Sequence, residues 1–166
     1  MPHIALIAHN LRSAHNVGSL LRTAEGLGVH KVYLTGYTPY PLAVKDERLP
    51  HLAQKIDKQI HKTALGAEEL IDWIHLEDVH AVIAELSANG FIVCGLEQAA
   101  RSVPLQSYET PEKVALILGR EVEGLESEIQ DLCDTILEIP MFGKKESFNV
   151  VQAAAMALYH FVFGAN

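Results

Sequence analysis

Cysteine is almost missing from this chain: two in 166 residues, Cys94 and Cys133, each in an apolar segment. That excludes a disulfide-stapled scaffold and fits buried, reduced thiols, so a cytoplasmic setting is expected. No apolar run is long enough to span a bilayer; the longest weakly polar stretch, Val150–Phe163, contains Gln152 and His160. Met1-Pro2-His3 lacks a basic start and Ile4–Ala8 is too short an apolar core for a secretory leader. Linkers, low-complexity tracts and internal repeats are missing too, and 166 residues are read as one domain with its own core. No spaced-glycine dinucleotide loop opens the first helix, and there is no Gly-Lys-Thr/Ser phosphate loop, which disfavours the cofactors those devices hold. No Gly-x-Ser-x-Gly elbow presents an acyl-transfer serine. The nine histidines are scattered without metal-ligand spacing, so no metal site is expected.

Positive charge is also scarce, with 13 Lys and Arg against 21 Asp and Glu, a net charge of −8. A nucleic-acid partner needs cations. Their distribution keeps one open: residues 1–62 hold eight basic against four acidic residues, whereas residues 63–166 hold five against seventeen. One basic face on an acidic body permits RNA without requiring it.

What is present is an alternation of short apolar runs and helical stripes. His3–Ala8, Lys31–Thr35, Phe91–Leu96, Val114–Leu118 and Thr135–Ile139 are predicted strands, and Asp72–Leu76 is a weaker sixth. Val17, Leu20, Leu21, Ala24 and Leu27 mark a helix with Asn16 as its expected N-cap and Gly28 as its end. Further helices are expected over Leu52–Thr63, Gly66–Leu70, Val79–Asn89 and Leu125–Leu132, while Pro39, Pro41 and Pro50 break the segment between Gly36 and Pro50. Such interleaving without hairpin signals means an α/β domain on a mostly parallel sheet with helices on both faces.

Three clusters gather the unusual residues, each just past a predicted strand, where open parallel sheets place ligands. In Asn10–Ala24, Gly18 and Arg22 stand four apart on one helix face, so a ligand or partner could sit beside the guanidinium; a solvated Arg22 paired with Glu25 is the alternative. In Leu116–Leu125, Gly119 follows a buried strand directly and Glu121 stands at its mouth. In Ile139–Tyr159, Pro140 stops a strand, a loop carries Gly143, Lys144 and Lys145, and Ser147 is expected to open an alanine-rich helix with Asn149 inside its first turn. A glycine loop before a helix start offers free N–H groups to an anionic ligand.

Asn16-Val-Gly-Ser-Leu-Leu-Arg-Thr-Ala, Leu118-Gly-Arg-Glu-Val-Glu-Gly-Leu and Ile139-Pro-Met with Ser147-Phe-Asn-Val and Ala153-Ala-Ala resemble, in order and spacing, the three motifs of the SPOUT superfamily. Within it they are similar to the SpoU/TrmH branch of RNA ribose 2′-O-methyltransferases; Lys62–Glu69 and Gly95–Ala99 also look like TrmH-type tRNA enzymes. Phe148 stands where the branch usually has leucine. The resemblance implies a C-terminal trefoil knot, an exception to unknotted folding, with S-adenosylmethionine bound inside it. It implies a cofactor pocket of Leu96, Gly119, Ile139, Met141 and Ser147 and a catalytic group of Asn16, Arg22, Glu121 and Asn149. It further implies a homodimer in which each subunit's arginine completes the other's site, and a bare catalytic domain without an added RNA-gripping extension. Arg12, Arg120, Lys144 and Lys145 are the expected RNA contacts, unless Arg120 pairs with Glu123. The favoured substrate is tRNA; rRNA, a non-methylating RNA-binding relative and an unrelated doubly wound nucleotide-binding enzyme are the alternatives.

Overall fold

The apolar runs become strands because each is hydrophobic on both faces and can be buried only between layers of helices. In the structure, a computed structural model that describes residues 1–164, they are β1 (His3–His9), β2 (Lys31–Thr35), β3 (Trp73–Leu76), β4 (Ile92–Leu96), β5 (Val103–Pro104), β6 (Lys113–Leu118) and β7 (Thr135–Glu138). They form one sheet in the order β3-β2-β1-β6-β4-β7-β5 with every ladder parallel. The winding runs outward from β1 to β3 on one side and reverses across β6 and β4 on the other. β7 is inserted between β4 and β5, two strands that precede it in the chain.

Six helices cover the sheet: α1 (Ala14–Gly26), α2 (Pro50–Ala64), α3 (Ala67–Leu70), α4 (Val79–Ala88), α5 (Ser127–Asp131) and α6 (Val150–Phe163). On one face Leu20, Leu21, Ile60, Leu158 and Phe161 of α1, α2 and α6 pack against Ile4, Leu6, Leu116 and Leu118. On the other, Val82, Ile83 and Leu86 of α4 and Ile129 of α5 cover Ala5, Ile7, Ala115 and Ile117. Successive strand residues therefore feed opposite cores, as the two-residue period requires. Among the described residues no helix is long and apolar enough to cross a membrane.

Two helix starts differ from the sequence expectation. Asn16 is not the N-cap of α1: Ser13 has the extended backbone of a cap, and its side chain accepts from Asn16 N at 3.1 Å. Ser147 does not open α6; Asn149 does, accepting from Val151 N at 2.9 Å. Ser and Asn cap equally well, so residue type alone does not choose between neighbouring candidates. The space expected beside Gly18 is filled by α2. A Cβ at Gly18 would stand 2.2 Å from both Ile60 O and Thr63 Oγ1, and Thr63 Oγ1 donates to His15 O at 2.8 Å. Gly18 thus serves helix contact, and the alternative Arg22–Glu25 pair does not form: Arg22 is exposed and makes no salt bridge among the described residues.

Candidate active site

The carboxyl ends of β4, β6 and β7 open into a cleft of about 330 Å3, whose walls come from residues 96–98, 118–124, 138–139, 146–148, 150 and 153. This is the side of the sheet where the winding reverses, the place that leaves a crevice between diverging connections. Its apolar lining includes Leu96, Leu118, Ile139, Phe148 and Val150. Its charged lining is acidic, with Glu97, Glu121, Glu123, Glu138 and Glu146 against Arg120 alone.

One wall is a turn that folds on itself because two glycines permit it. A Cβ on Gly119 would lie 2.5 Å from the Gly124 carbonyl and from Leu125 N. Gly124 has φ +74°, and a Cβ there would lie 2.1 Å from Glu97 Oε2. Glu97 holds the turn from below, accepting from Leu125 N at 2.7 Å and from Gln98 N at 2.8 Å. The absent side chain of Gly119 is thus needed for the turn itself, whatever ligand touches its backbone. The TrmH-like segment Gly95–Ala99 contains Glu97 but gave it no role; an acid directly after a buried strand was the one further signal.

Beside the cleft three distant segments meet. The Glu121 carboxylate accepts from Arg12 N and Ser13 N at 3.1 Å, ahead of the first turn of α1, and the Asn16 side-chain amide lies 3.5 Å away. Asn149 Nδ2 approaches Asn16 Oδ1 at 3.4 Å. Partial burial alone would raise the Glu121 pKa, but the Ser13 and Arg12 amides, helped by Asn16, outweigh it and hold the group below its ordinary value. Glu121 is therefore held as an anion, joined to the Arg12 and Ser13 amides and facing the Asn16 amide. Asn149 caps α6 with its oxygen and offers its amide to Asn16, so one side chain both starts the helix and joins the cluster.

Of the other residues singled out, Leu96, Gly119, Ile139 and Ser147 line the cleft, and Met141 is half-buried outside that lining. Arg22 is not brought to Asn16, Glu121 or Asn149 by any hydrogen bond within the described chain. Arg120 pairs with Glu126 at 2.7 Å instead of Glu123, and its Nε is buried without a hydrogen-bond partner. Glu123 is taken by Arg12 at 3.0 Å. Lys144 and Lys145 are exposed on the loop beyond the cleft, where Lys145 lies 3.5 Å from Glu146. Gln98 Nε2 donates to Glu146 O at 3.1 Å and ties that loop to the one after β4.

Comparison with known proteins gives one answer. Residues 3–159 match the SpoU rRNA Methylase family. The chain is 31% identical over 157 residues to the 23S rRNA (guanosine-2′-O-)-methyltransferase RlmB of Neisseria meningitidis; that alignment covers 95% of this chain and 57% of RlmB, so the chain spans little more than half its relative's length. In fold it resembles the AdoMet-bound rRNA methyltransferase of Sinorhizobium meliloti, with TM-score 0.80 at 21% identity over 96% of this chain and 55% of that one. It is equally similar to the A. aeolicus TrmH/SpoU tRNA modifying enzyme, with TM-score 0.79 at 20% identity over 97% of this chain and 74% of that one. With the parallel sheet, the cleft at its reversal and the match over almost its whole length, this chain belongs to the SpoU methylase family.

Proposed function

We propose that this chain transfers a methyl group from S-adenosylmethionine to a ribose 2′-OH of RNA. The observation that carries the reading is the convergence of Asn16, Glu121 and Asn149 from three distant segments beside one cleft. The cleft suits the cofactor chemically: five carboxylates favour a cationic sulfonium, apolar walls suit an adenine, and Arg120 Nε is a buried donor without a partner. When bound, the cofactor supplies a methyl carbon on a good leaving group. The chain's task is then to hold a weakly nucleophilic hydroxyl in line, which is worth roughly 7–11 kcal/mol through positioning alone. Leu96, Gly119, Ile139, Met141 and Ser147 are assigned to the cofactor. Asn149, fixed by its cap and by Asn16, is assigned to orienting the ribose.

A guanidinium offers donors and no acceptor, so Arg22 serves as an anchor for RNA phosphate and a partner for the developing alkoxide, not as a base. Its exposure apart from Asn16 and Asn149 supports a homodimer in which it completes the partner's site. The proposal retains the trefoil threading; the insertion of β7 between β4 and β5 and the Gln98–Glu146 link support it. It retains a cytoplasmic setting, with both thiols buried. On the RNA class, the Lys62–Glu69 and Gly95–Ala99 segments favour tRNA, whereas the Neisseria relative acts on 23S rRNA. Mapping ribose methylation in cells with and without the gene separates them.

The test is transfer of labelled methyl to bulk tRNA and rRNA. Arg22→Ala should abolish turnover, by about 10²-fold or more as for loss of one transition-state donor, while S-adenosylhomocysteine affinity survives. Equal loss of both refutes the role given to Arg22. Mixing Arg22→Ala with Asn149→Ala subunits should restore turnover if the arginine is lent, since one site of the mixed dimer then holds every intact group.

A further inference from the structure

The exposed face of α2 differs from the rest of this acidic protein. Lys55, Lys58 and Lys62, spaced three and four residues apart, share one side of the helix and are all exposed. His51, Gln54 and Gln59 join them along one shallow groove, with no carboxylate among its lining residues. The lone acid of the helix, Asp57, is turned to the preceding loop, where it accepts from Leu42 N at 2.8 Å. Elsewhere five cations are paired, Arg12 with Glu123, Lys31 with Asp72, Arg48 with Asp46, Arg120 with Glu126 and Lys145 with Glu146, and those without a salt bridge among the described residues, Arg22, Lys45, Arg101, Lys113 and Lys144, each stand on a different segment. None of the three α2 lysines pairs with a carboxylate among the described residues. The helix is also fixed relative to the site. Gly18 admits it against α1, and Thr63, next to Lys62, is hydrogen-bonded to His15, the neighbour of Asn16.

We propose that this face of α2 is a docking track for the RNA backbone, along which Lys62, Lys58 and Lys55 engage phosphates of the strand leading away from the active site. The inference rests on the RNA-methylating function proposed above and adds a surface outside the cleft and outside the Lys144–Lys145 loop. Lys55 and Lys62 stand seven positions apart, about 10.5 Å of helix, enough to meet more than one phosphate of a strand. Flexible, strongly hydrated ammonium groups suit point contacts with phosphate, and the glutamines add donors for phosphate or ribose oxygens. A net charge of −8 repels RNA from the body as a whole, so an unpaired basic strip sets where and in which direction the strand is laid.

The experiment compares the wild type with Lys55→Gln/Lys58→Gln/Lys62→Gln, reading affinity for unfractionated tRNA and rRNA across a salt series and S-adenosylhomocysteine affinity by calorimetry. The triple variant should bind RNA at least tenfold more weakly at low salt, its log K against log salt slope should fall by about 2, as expected for three lost phosphate contacts to a single strand, and its S-adenosylhomocysteine affinity should be unchanged. The triple arginine variant should bind as the wild type does. Lys113→Gln, at the amino end of the central strand β6, should also leave binding unchanged. Unaltered RNA affinity and slope in the glutamine variant overturn the docking track alone. Equal loss in the glutamine and arginine variants, or in Lys113→Gln, overturns it as well. A wild type that binds neither RNA nor S-adenosylhomocysteine instead removes the function on which the track depends.

Discussion

The carboxyl edge of the sheet has two halves built from the same kind of strand, and they have opposite fates. Beyond β1 and β2 the edge is filled by the chain itself. His9 is buried, and Asn10 Nδ2 donates to its Nε2, so its Nδ1 carries the proton and donates to Thr35 Oγ1 at 3.0 Å. Thr38 Oγ1 donates to Ala8 O at 2.9 Å and accepts from Leu11 N. Arg48 stacks on Tyr40, 3.6 Å above its ring, and donates to Tyr40 O, Pro41 O and Asp46. Beyond β4, β6 and β7 the edge is left open, walled by a glycine turn and a lining in which glutamates outnumber the one arginine. Parallel sheets offer a crevice at the switch point; side chains decide which part of the edge is kept for a ligand.

Breaking the filled half should give the largest change in stability and the smallest change in ligand binding. The Arg48 and Asp46 side chains are only 18% and 9% exposed. Arg48→Ala strands a buried carboxylate, which costs roughly 3–5 kcal/mol, with the lower end expected because Ala43 N still donates to Asp46. S-adenosylhomocysteine affinity per folded molecule should not change. The Arg48 hydrogen bond holds the Asp46 carboxyl well below its ordinary pKa of 3.8. A folded value below the unfolded one contributes stability above pH 3.8 that is lost as pH falls through the folded value. Denaturant melts from pH 5 to pH 2 should therefore show a steeper acid decline in the wild type than in Arg48→Ala.

Filling the open half should reverse that ratio. Gly119→Val places a Cβ 2.5 Å from the backbone of Gly124 and Leu125, so the turn must move. Overpacking of this kind costs roughly 1–3 kcal/mol. The displaced wall belongs to the cleft, and calorimetry should find S-adenosylhomocysteine binding lost at temperatures where the variant is still folded. Retained binding would mean that this turn does not hold the cofactor.

These contrasts also mark what was legible in the sequence. Six of the seven strands were, because a buried parallel strand is written as an unbroken apolar run, and Val114–Leu118 or Lys31–Thr35 can be read without knowing their neighbours; the two-residue β5, Val103–Pro104, carries no such run and was not. The sheet order was not, because nothing local in Thr135–Glu138 says that it enters between β4 and β5. Gly18 is a similar case: a bare glycine on a helix reads as free space, and only the docking of α2 gives that space an owner. At the candidate site the motifs named Asn16, Glu121 and Asn149, but not Ser13 as the true cap or Glu97 as the support of the glycine turn. Glu97 depends on a partner 28 residues away, and Ser13, whose cap bond to Asn16 is local, has its own N–H held by Glu121, 108 residues away.

The link between the halves is Asn149, and its two functions are separable. Asn149→Ala loses the cap of α6 and should cost about 1 kcal/mol. Asn149→Ser keeps a capping oxygen but is too short to reach Asn16. The serine variant should melt close to the wild type, yet its methyl transfer should fall by about 10²-fold, as expected when a positioning contact is lost. Equal activity in the two proteins would reduce Asn149 to a cap.

The smallest structural effect belongs to the loop between the open half and solvent. Lys145 and Glu146 are each 84% exposed and 3.5 Å apart, a pair worth about 0–0.5 kcal/mol. Lys144→Glu/Lys145→Glu should leave the melting temperature and S-adenosylhomocysteine affinity unchanged, since neither lysine lines the cleft. RNA affinity should nevertheless drop, with the salt slope reduced by about 1–2 for two lost phosphate contacts. An unchanged slope would take the loop out of the RNA footprint. The open half would then hold its cofactor without holding RNA, and the cations of α1 and α2 would have to bring the strand to it.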